Sequence, residues 1–401
     1  MKKILTFALC LTAVGTMSAQ KEAVDQAAKL SGKIDKVAEA RSLIKQASED
    51  PATANDVRTY FVGGKVEYDA YDEAYKKRAI NPNDESVNLV DMGNQLINGY
   101  NMFMKALPLD SVPDEKGKVK AKHSKDMIGR INGHYNDYYN MAGELFNNKH
   151  YYPEAYNAFM IYGDLPTKAF ADKNVKATPD TTRALAYYYA GIGAYSGNAL
   201  QDALVAFEKA RKAGITEPQN YVYEIACWQN LSKNDSTLEE QAKKEIENVA
   251  RYGYEQYGIS NPLFINNLVN SMILSDRNEE ALALVNDAIA KNDVPFLYGL
   301  RAYINDRKGD EAASLADYRK AASFDNADVE TLKNAAKKIY TAGTVQLDKI
   351  DRANPEARNQ VKAEYFEQAK ALVDRARTLA PGDGDLDYIL DSIQYALDTF
   401  F

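Results

Sequence analysis

The side chains with the widest chemical range are scarce: three histidines and two cysteines in 401 residues. No two of His123, His134 and His150 stand at the three-to-five-residue spacing that sets a pair of metal ligands on one helix face, so each reads as a structural or surface residue. Cys10 lies in an apolar N-terminal run, and Cys227 is the one thiol beyond it. Within Ile225-Ala226-Cys227-Trp228 it reads as a small buried hydrophobe, with a reactive thiol or an intermolecular disulfide as the alternative. Val62-Gly63-Gly64-Lys65 lacks the spaced Gly-Lys-Ser/Thr of a phosphate loop and sits in a helical pattern, where it reads as a close helix contact. No Gly-x-Ser-x-Gly elbow occurs. Carboxylates are plentiful, as in any acidic helical chain, and carry no catalytic information. These residues point to no catalytic centre, no metal and no cofactor, and the chain reads as a non-enzyme.

Tyrosine is what the chain has in excess, 28 residues, dense at Tyr187-Tyr188-Tyr189 and through Tyr135, Tyr138, Tyr139, Tyr151, Tyr152, Tyr156 and Tyr162. Most read as large core fillers; a few are expected to line a groove, where aromatic faces suit sugar rings or extended peptides. Acidic residues outnumber basic ones, 57 to 49, for a formal charge of −8. Phosphate contacts need Lys and Arg, so this balance argues against a nucleic-acid partner. Lys116, Lys118, Lys120, Lys122 and Lys125 are the exception, set in a long connection from Leu107 to Lys125. They read as a solvated loop, with docking to an acidic partner or to lipid headgroups as the sharper alternative.

Residues 1–20 read as a signal peptide. Lys2 and Lys3 precede an apolar run from Ile4 to Gly15, too short to span a bilayer, and Met17-Ser18-Ala19-Gln20 supplies the cleavage region. Leu9 stands before Cys10 where a lipoprotein signal has a small residue, so no lipid anchor is expected. No later segment reaches the ~20 apolar residues of a membrane span. The expectation is a periplasmic protein, peripheral to the outer membrane or secreted at the furthest, with no intrachain disulfide.

Helices must position whatever site exists. Val24, Ala28, Ile34, Val37, Ala40, Ile44 and Ala47 recur every three or four residues, which predicts one helix from Lys21 to Glu49, stopped at Asp50-Pro51. Two more are predicted over Asn55–Arg78 and Ser86–Ala106. From Asp126 the helices come in pairs: Tyr139–Phe146 with Pro153–Tyr162, Thr182–Tyr195 with Leu200–Ala213, Pro218–Leu231 with Leu238–Tyr252, and Pro262–Leu274 with Glu279–Lys291. Gly163–Asp180 is longer than a turn between repeats. The most regular pair is Leu297–Asn326, turning at Lys308-Gly309-Asp310. A helix from Val329 is expected to run well past Tyr340, with Asn354-Pro355 kinking or ending it. The expected organisation is a signal peptide (1–20), divergent N-terminal helical repeats ending in the long loop (21–125), and a regular solenoid (126–401). The solenoid carries an extended helical insertion near 340–365 and ends in a capping helix.

The pairs share anchors. Ala281 with Val285 and Ala288 matches Ser314 with Tyr318 and Ala321. The pattern recurs at Ala203 with Phe207 and Ala210, at Ala155 with Phe159, and at Ala369 with Val373 and Ala376. The preceding helices carry Gly143, Gly191 and Ala302 where the two helices must touch. Small residues let the backbones approach, and a large neighbour fills the groove beside the contact.

In these residues the sequence resembles the tetratricopeptide repeat (TPR), most closely at Tyr298, Ala302, Gly309, Tyr318, Ala321 and Asp325, with Ser314 where the family has alanine. With its N-terminal segment it is similar to the exported TPR proteins of Bacteroidetes. The resemblance implies an all-α fold, a right-handed superhelix (an α-solenoid) of antiparallel helix hairpins. It also implies that the first helix of each pair faces the concave surface. That places Tyr188, Ile192 and Tyr195 there from one repeat, Asn266, Asn270 and Ile273 from another, and Phe296, Tyr303 and Arg307 from the most regular one. Asn266 and Asn270, one turn apart, would clamp a peptide backbone. The Lys/Asn/Arg set by which some co-chaperone repeats hold a terminal carboxylate is not reproduced. The implied function is a non-enzymatic protein–protein interaction scaffold of the cell envelope, binding a protein or peptide partner. Glycan or nutrient capture by groove tyrosines is the alternative.

Overall fold

The computed structural model describes residues 21–113, 116–148, 151–351 and 353–401. The expected signal peptide, Cys10 and His150 lie outside them. Among the described residues there is no strand, only an isolated bridge between Pro113 and Val119. The chain divides into two compact units, the first ending at Leu238. It contains α1 (residues 21–30), α2 (Val37–Glu49), α3 (Val57–Ile80), α4 (Leu89–Asp110), α5 (Ser124–Gly133) and α6 (Tyr135–Asn147). α7 (Tyr152–Asp164), α8 (Lys173–Lys176), α9 (Asp180–Ser196), α10 (Leu200–Lys212) and α11 (Pro218–Asn234) complete it. The second unit holds α12 (Glu239–Tyr257), α13 (Pro262–Leu274), α14 (Asn278–Lys291), α15 (Pro295–Lys308) and α16 (Glu311–Ala322). α17 (Val329–Lys349), α18 (Pro355–Val361), a π-helical turn (Lys362–Glu367), α19 (Gln368–Leu379) and α20 (Gly384–Phe400) follow. Residue 126, where the regular repeats were expected to begin, falls inside the first unit.

Local chemistry sets the helix ends. Proline occupies the first turn of α7, α11, α13, α15 and α18, where its missing N–H costs nothing and its fixed φ suits the helix. Side chains of Asn261, Asp310, Asp328, Asn354 and Asp383 accept backbone N–H groups at the starts of α13, α16, α17, α18 and α20. Gly309 closes α15 at φ 77°, the left-handed geometry glycine adopts without penalty. Asn354-Pro355 starts α18 rather than kinking α17, which has already ended at Lys349.

Three expectations are corrected. The helix predicted from Lys21 to Glu49 is two helices, because the chain turns at Gly32 (φ 76°) before α2. The third helix does not stop at Ala106 but runs through Pro108 to Asp110. The Asp110 carboxylate then accepts the backbone N–H groups of Lys122, His123 and Ser124 at 3.1, 2.9 and 2.7 Å, which gathers the lysine-bearing loop back to the start of α5. Gly143 is the third. A Cβ built there meets nothing within 4 Å, so it is not a helix-contact residue; its neighbour Ala142 is fully buried instead.

The repeat anchors otherwise occupy the core. Ala155, Ala203, Ala281, Ser314 and Ala369 are all 0% exposed. Aromatic rings seat on glycines of the facing helix. A Cβ at Gly191 would lie 2.5 Å from the Phe207 ring, one at Gly163 2.5 Å from Tyr187, and one at Gly253 2.5 Å from Phe264. Gly64 sits under Phe103 and Gly63 beside Ile44, which gives Gly63-Gly64 its role as a close helix contact. Gly343 admits Tyr365 and Phe366, the residues of the π turn. Each such ring, buried fully, contributes about 1.5–3 kcal/mol.

Arginine forks tie helices as well. The Arg41 guanidinium on α2 donates to both oxygens of buried Glu67 on α3, at 2.7 and 2.6 Å. Arg211 reaches Glu224 at 3.3 and 3.1 Å, and Arg301 reaches Asp317 at 2.9 and 2.6 Å. Bidentate geometry is what makes these buried carboxylates tolerable.

Three substitutions test this core. Gly191→Ala drives a methyl group into the Phe207 ring and is expected to destabilise the fold by about 1–3 kcal/mol. Gly143→Ala, at the same register of another hairpin but in open space, should instead raise stability by about 0.5–1 kcal/mol through helix propensity. Thermal or urea unfolding of both variants reads the difference directly. Ser314 Oγ is buried without a hydrogen-bond partner, so Ser314→Ala removes a desolvated hydroxyl and is expected to stabilise by about 1 kcal/mol in the same assay.

Candidate functional site

In the second unit α13, α15 and α17 share one open groove of about 460 Å³. Its walls include Asn266 and Asn270 from α13, Phe296 and Tyr303 from α15, and Thr331 and Asn334 from α17. Each helix reaches the groove with one stripe and buries another. On α13, Ile265, Leu268, Val269 and Met272 are core, which leaves Asn266 and Asn270 exposed one turn apart. On α15, Leu297, Ala302 and Ile304 are buried, which turns Phe296 and Tyr303 to the other side. α15 is fixed by the Arg301–Asp317 fork, to which Asn305 adds a 3.1 Å hydrogen bond, so the groove wall is braced from behind. Lys338 on α17 bonds to Asp306 and Glu311, linking the third wall to the α15–α16 hairpin.

The groove presents amides, aromatic rings and hydroxyls. Its charged lining residues are Asp328 and Glu330, and no Lys or Arg lines it. Asp328 is engaged as the cap of α17, accepting the Thr331 N–H at 2.8 Å, and Glu330 pairs with Lys333 at 2.7 Å. Such a surface offers hydrogen bonds to a neutral backbone and apolar contact to side chains, with a mildly acidic edge.

The expected site residues thus fall into separate places. Asn266, Asn270 and Tyr303 come together in this groove. Arg307, one turn beyond Tyr303 on α15, is exposed and does not line it. Tyr188, Ile192 and Tyr195 belong to the first unit and pack, half-buried, against the cluster that contains Phe207, Ala203 and Cys227. Tyr195 lies 5.1 Å from the Tyr223 ring and Tyr188 6.3 Å from the Phe207 ring. Burial pushes the Tyr188 hydroxyl up to about 12. Sequence reasoning missed Tyr318, Thr331 and Asn334 as groove residues; extending the first-helix rule to α17 would have found the last two.

The remaining reactive groups are structural. Cys227 is fully buried, and burial, with a smaller contribution from the Glu224 charge, pushes its thiol up to about 12. His123 stacks on Phe61 at 4.2 Å. His134 stacks on Tyr68 at 4.8 Å, with Nδ1 2.8 Å from Asp137. No helix among the described residues is long and apolar enough to cross a membrane.

No family model matches the sequence, and no curated protein matches it. Solved structures similar to the chain include the TPR domain of P58(IPK), 12% identical, covering 95% of this chain and 98% of that one, with a TM-score of 0.28. Yeast Tom70 is 15% identical, covering 95% and 96%, with a TM-score of 0.24. Scores this low add nothing to what the chain's own side chains show. The chain is all-helical, built of helix hairpins whose anchor residues are buried at the repeat register, and in this it is consistent with a tetratricopeptide-repeat protein.

Proposed function

We propose that the groove across α13, α15 and α17 docks an extended segment of a protein partner, and that the chain is a non-enzymatic interaction scaffold of the cell envelope. The observation that carries the reading is the convergence of Asn266, Asn270 and Asn334 with Phe296 and Tyr303 on one open face. Side-chain amides both donate and accept, which matches the alternating N–H and C=O groups of a peptide in extended form. The walls are helices held by buried clamps, so binding loses little conformational entropy on the protein side. The acidic residues at its edge favour a neutral or basic segment over an acidic one. Placement in the periplasm rests on residues 1–20 alone. Sugar capture by Tyr188 and Tyr195 is less favoured, because their rings already pack against Phe207 and Tyr223.

The test is affinity capture from envelope extract. Wild-type protein is expected to recover a partner in stoichiometric amount. The triple variant Asn266→Ala, Asn270→Ala, Tyr303→Ala should weaken that binding by about 2 kcal/mol, roughly 30-fold, with unchanged thermal stability. Retention of the same partner at full strength by the triple variant would place its docking surface elsewhere.

A further inference from the structure

A second concavity, in the first unit, has different chemistry. It has a volume of about 870 Å³ and lies between α5, the start of α6, α7 and the segment around α8. That segment belongs to the Gly163–Asp180 connection, longer than any repeat turn requires. It is a built wall. Ala171 and Val175 are buried in the core, Asp172 caps α8 by accepting the N–H groups of Asn174 and Val175 at 2.8 and 2.9 Å, and the Asp172 N–H is held by the Asn132 side chain of α5 at 2.9 Å.

The floor is left open by sequence. Gly129 and Gly133 stand one turn apart on α5, and a Cβ built on either meets nothing within 4 Å. Gly129 is mid-helix, where glycine costs stability relative to alanine and no close contact demands one, and Gly133 is the last residue of α5. Around this floor stand Asn136, Asn174, Thr178 and Thr182, all neutral donors and acceptors. Beneath them the Tyr135 hydroxyl, on a residue only 7% exposed, makes no hydrogen bond of good geometry, although the Thr178 and Tyr162 hydroxyls lie close by. Of the lining residues Lys125 and Asp172 are charged, and the Asp172 carboxylate is committed to capping α8. There is no basic cluster for a phosphate and no acidic set for a cation. The volume falls within the roughly 300–1,000 Å³ of ligand pockets.

We propose that this pocket binds a neutral, hydroxyl-rich small molecule, a saccharide of one or two rings, independently of the peptide groove. Its hydroxyls would meet the amides and threonines of the walls, and its ring face would lie over the bare backbone at Gly129 and Gly133.

The experiment is titration calorimetry of the full chain with maltose, cellobiose, lactose and glucose, and with glucuronate and glucose 6-phosphate as charged counterparts. At least one neutral sugar is expected to bind saturably with a Kd between roughly 10 μM and 1 mM, and more tightly than either charged compound. Gly129→Leu, which places a side chain in the empty space, should weaken that binding at least tenfold. Asn136→Ala, an exposed position, supplies a second variant should the leucine disturb α5, and is expected to weaken binding severalfold. Asn270→Ala, in the peptide groove, should leave it unchanged, so the two sites fail or succeed separately. Absence of binding by all four neutral sugars at roughly 10 mM overturns the proposal. So does sugar affinity that survives both pocket variants, or a preference for the charged compounds.

Discussion

An aromatic ring seated on a small residue of the facing helix is the contact on which the rest of this structure depends. Phe207 on Gly191, Tyr187 on Gly163, Phe103 on Gly64 and Phe264 on Gly253 repeat one device along both units. The glycine removes the Cβ that would hold the helices apart, and the ring fills the space released. Neither half works alone: glycine without the ring leaves a cavity, and the ring without glycine forces the helices to separate. Helices adjacent in sequence are therefore the ones that pack most closely, as expected for a chain of hairpins.

That device determines which faces remain for function. Each first helix spends one stripe on its partner, and α15 is also braced by the Arg301–Asp317 fork. The stripe left over on α13, α15 and α17 is where Asn266, Asn270, Tyr303 and Asn334 meet. Specificity then lies in residues the repeat does not constrain, and those residues can change without loss of the fold. The α5–α8 pocket arises differently, from a connection too long for a turn, and so carries a chemistry unrelated to the groove.

The hairpins were legible in the sequence because their signals are local: three-to-four spacing, proline at helix starts, Asn or Asp caps, glycine at the close of α15. The anchors Ala203, Ala281 and Ala369 were legible because small residues recur at one register. Gly143 shows the limit. It sits at the register of Gly191 yet faces open space, because glycine at one register does not reveal whether a ring on another helix needs it. The break at Gly32 was hidden by apolar spacing that continues across the turn. Helix α4 passes Pro108 because a proline near a helix's end disturbs few hydrogen bonds. Half of the groove was legible from a helix-face rule. Tyr188 and Tyr195 satisfy that same rule but are drawn into packing with Phe207 and Tyr223, contacts that depend on how α10 and α11 lie. The wall around α8 had no sequence signal beyond its length.

The interlock of ring and small residue is tested directly between α12 and α13, where the Phe264 ring sits on Gly253. A double-mutant cycle of Gly253→Ala and Phe264→Leu, followed by urea unfolding, measures the coupling. Each single change should destabilise, and the shortened side chain should make room for the added methyl group. The double variant is then expected to be more stable than the sum of the single effects by at least ~1 kcal/mol. Additivity within about 0.5 kcal/mol would show that ring and glycine are not a unit, and would contradict the account.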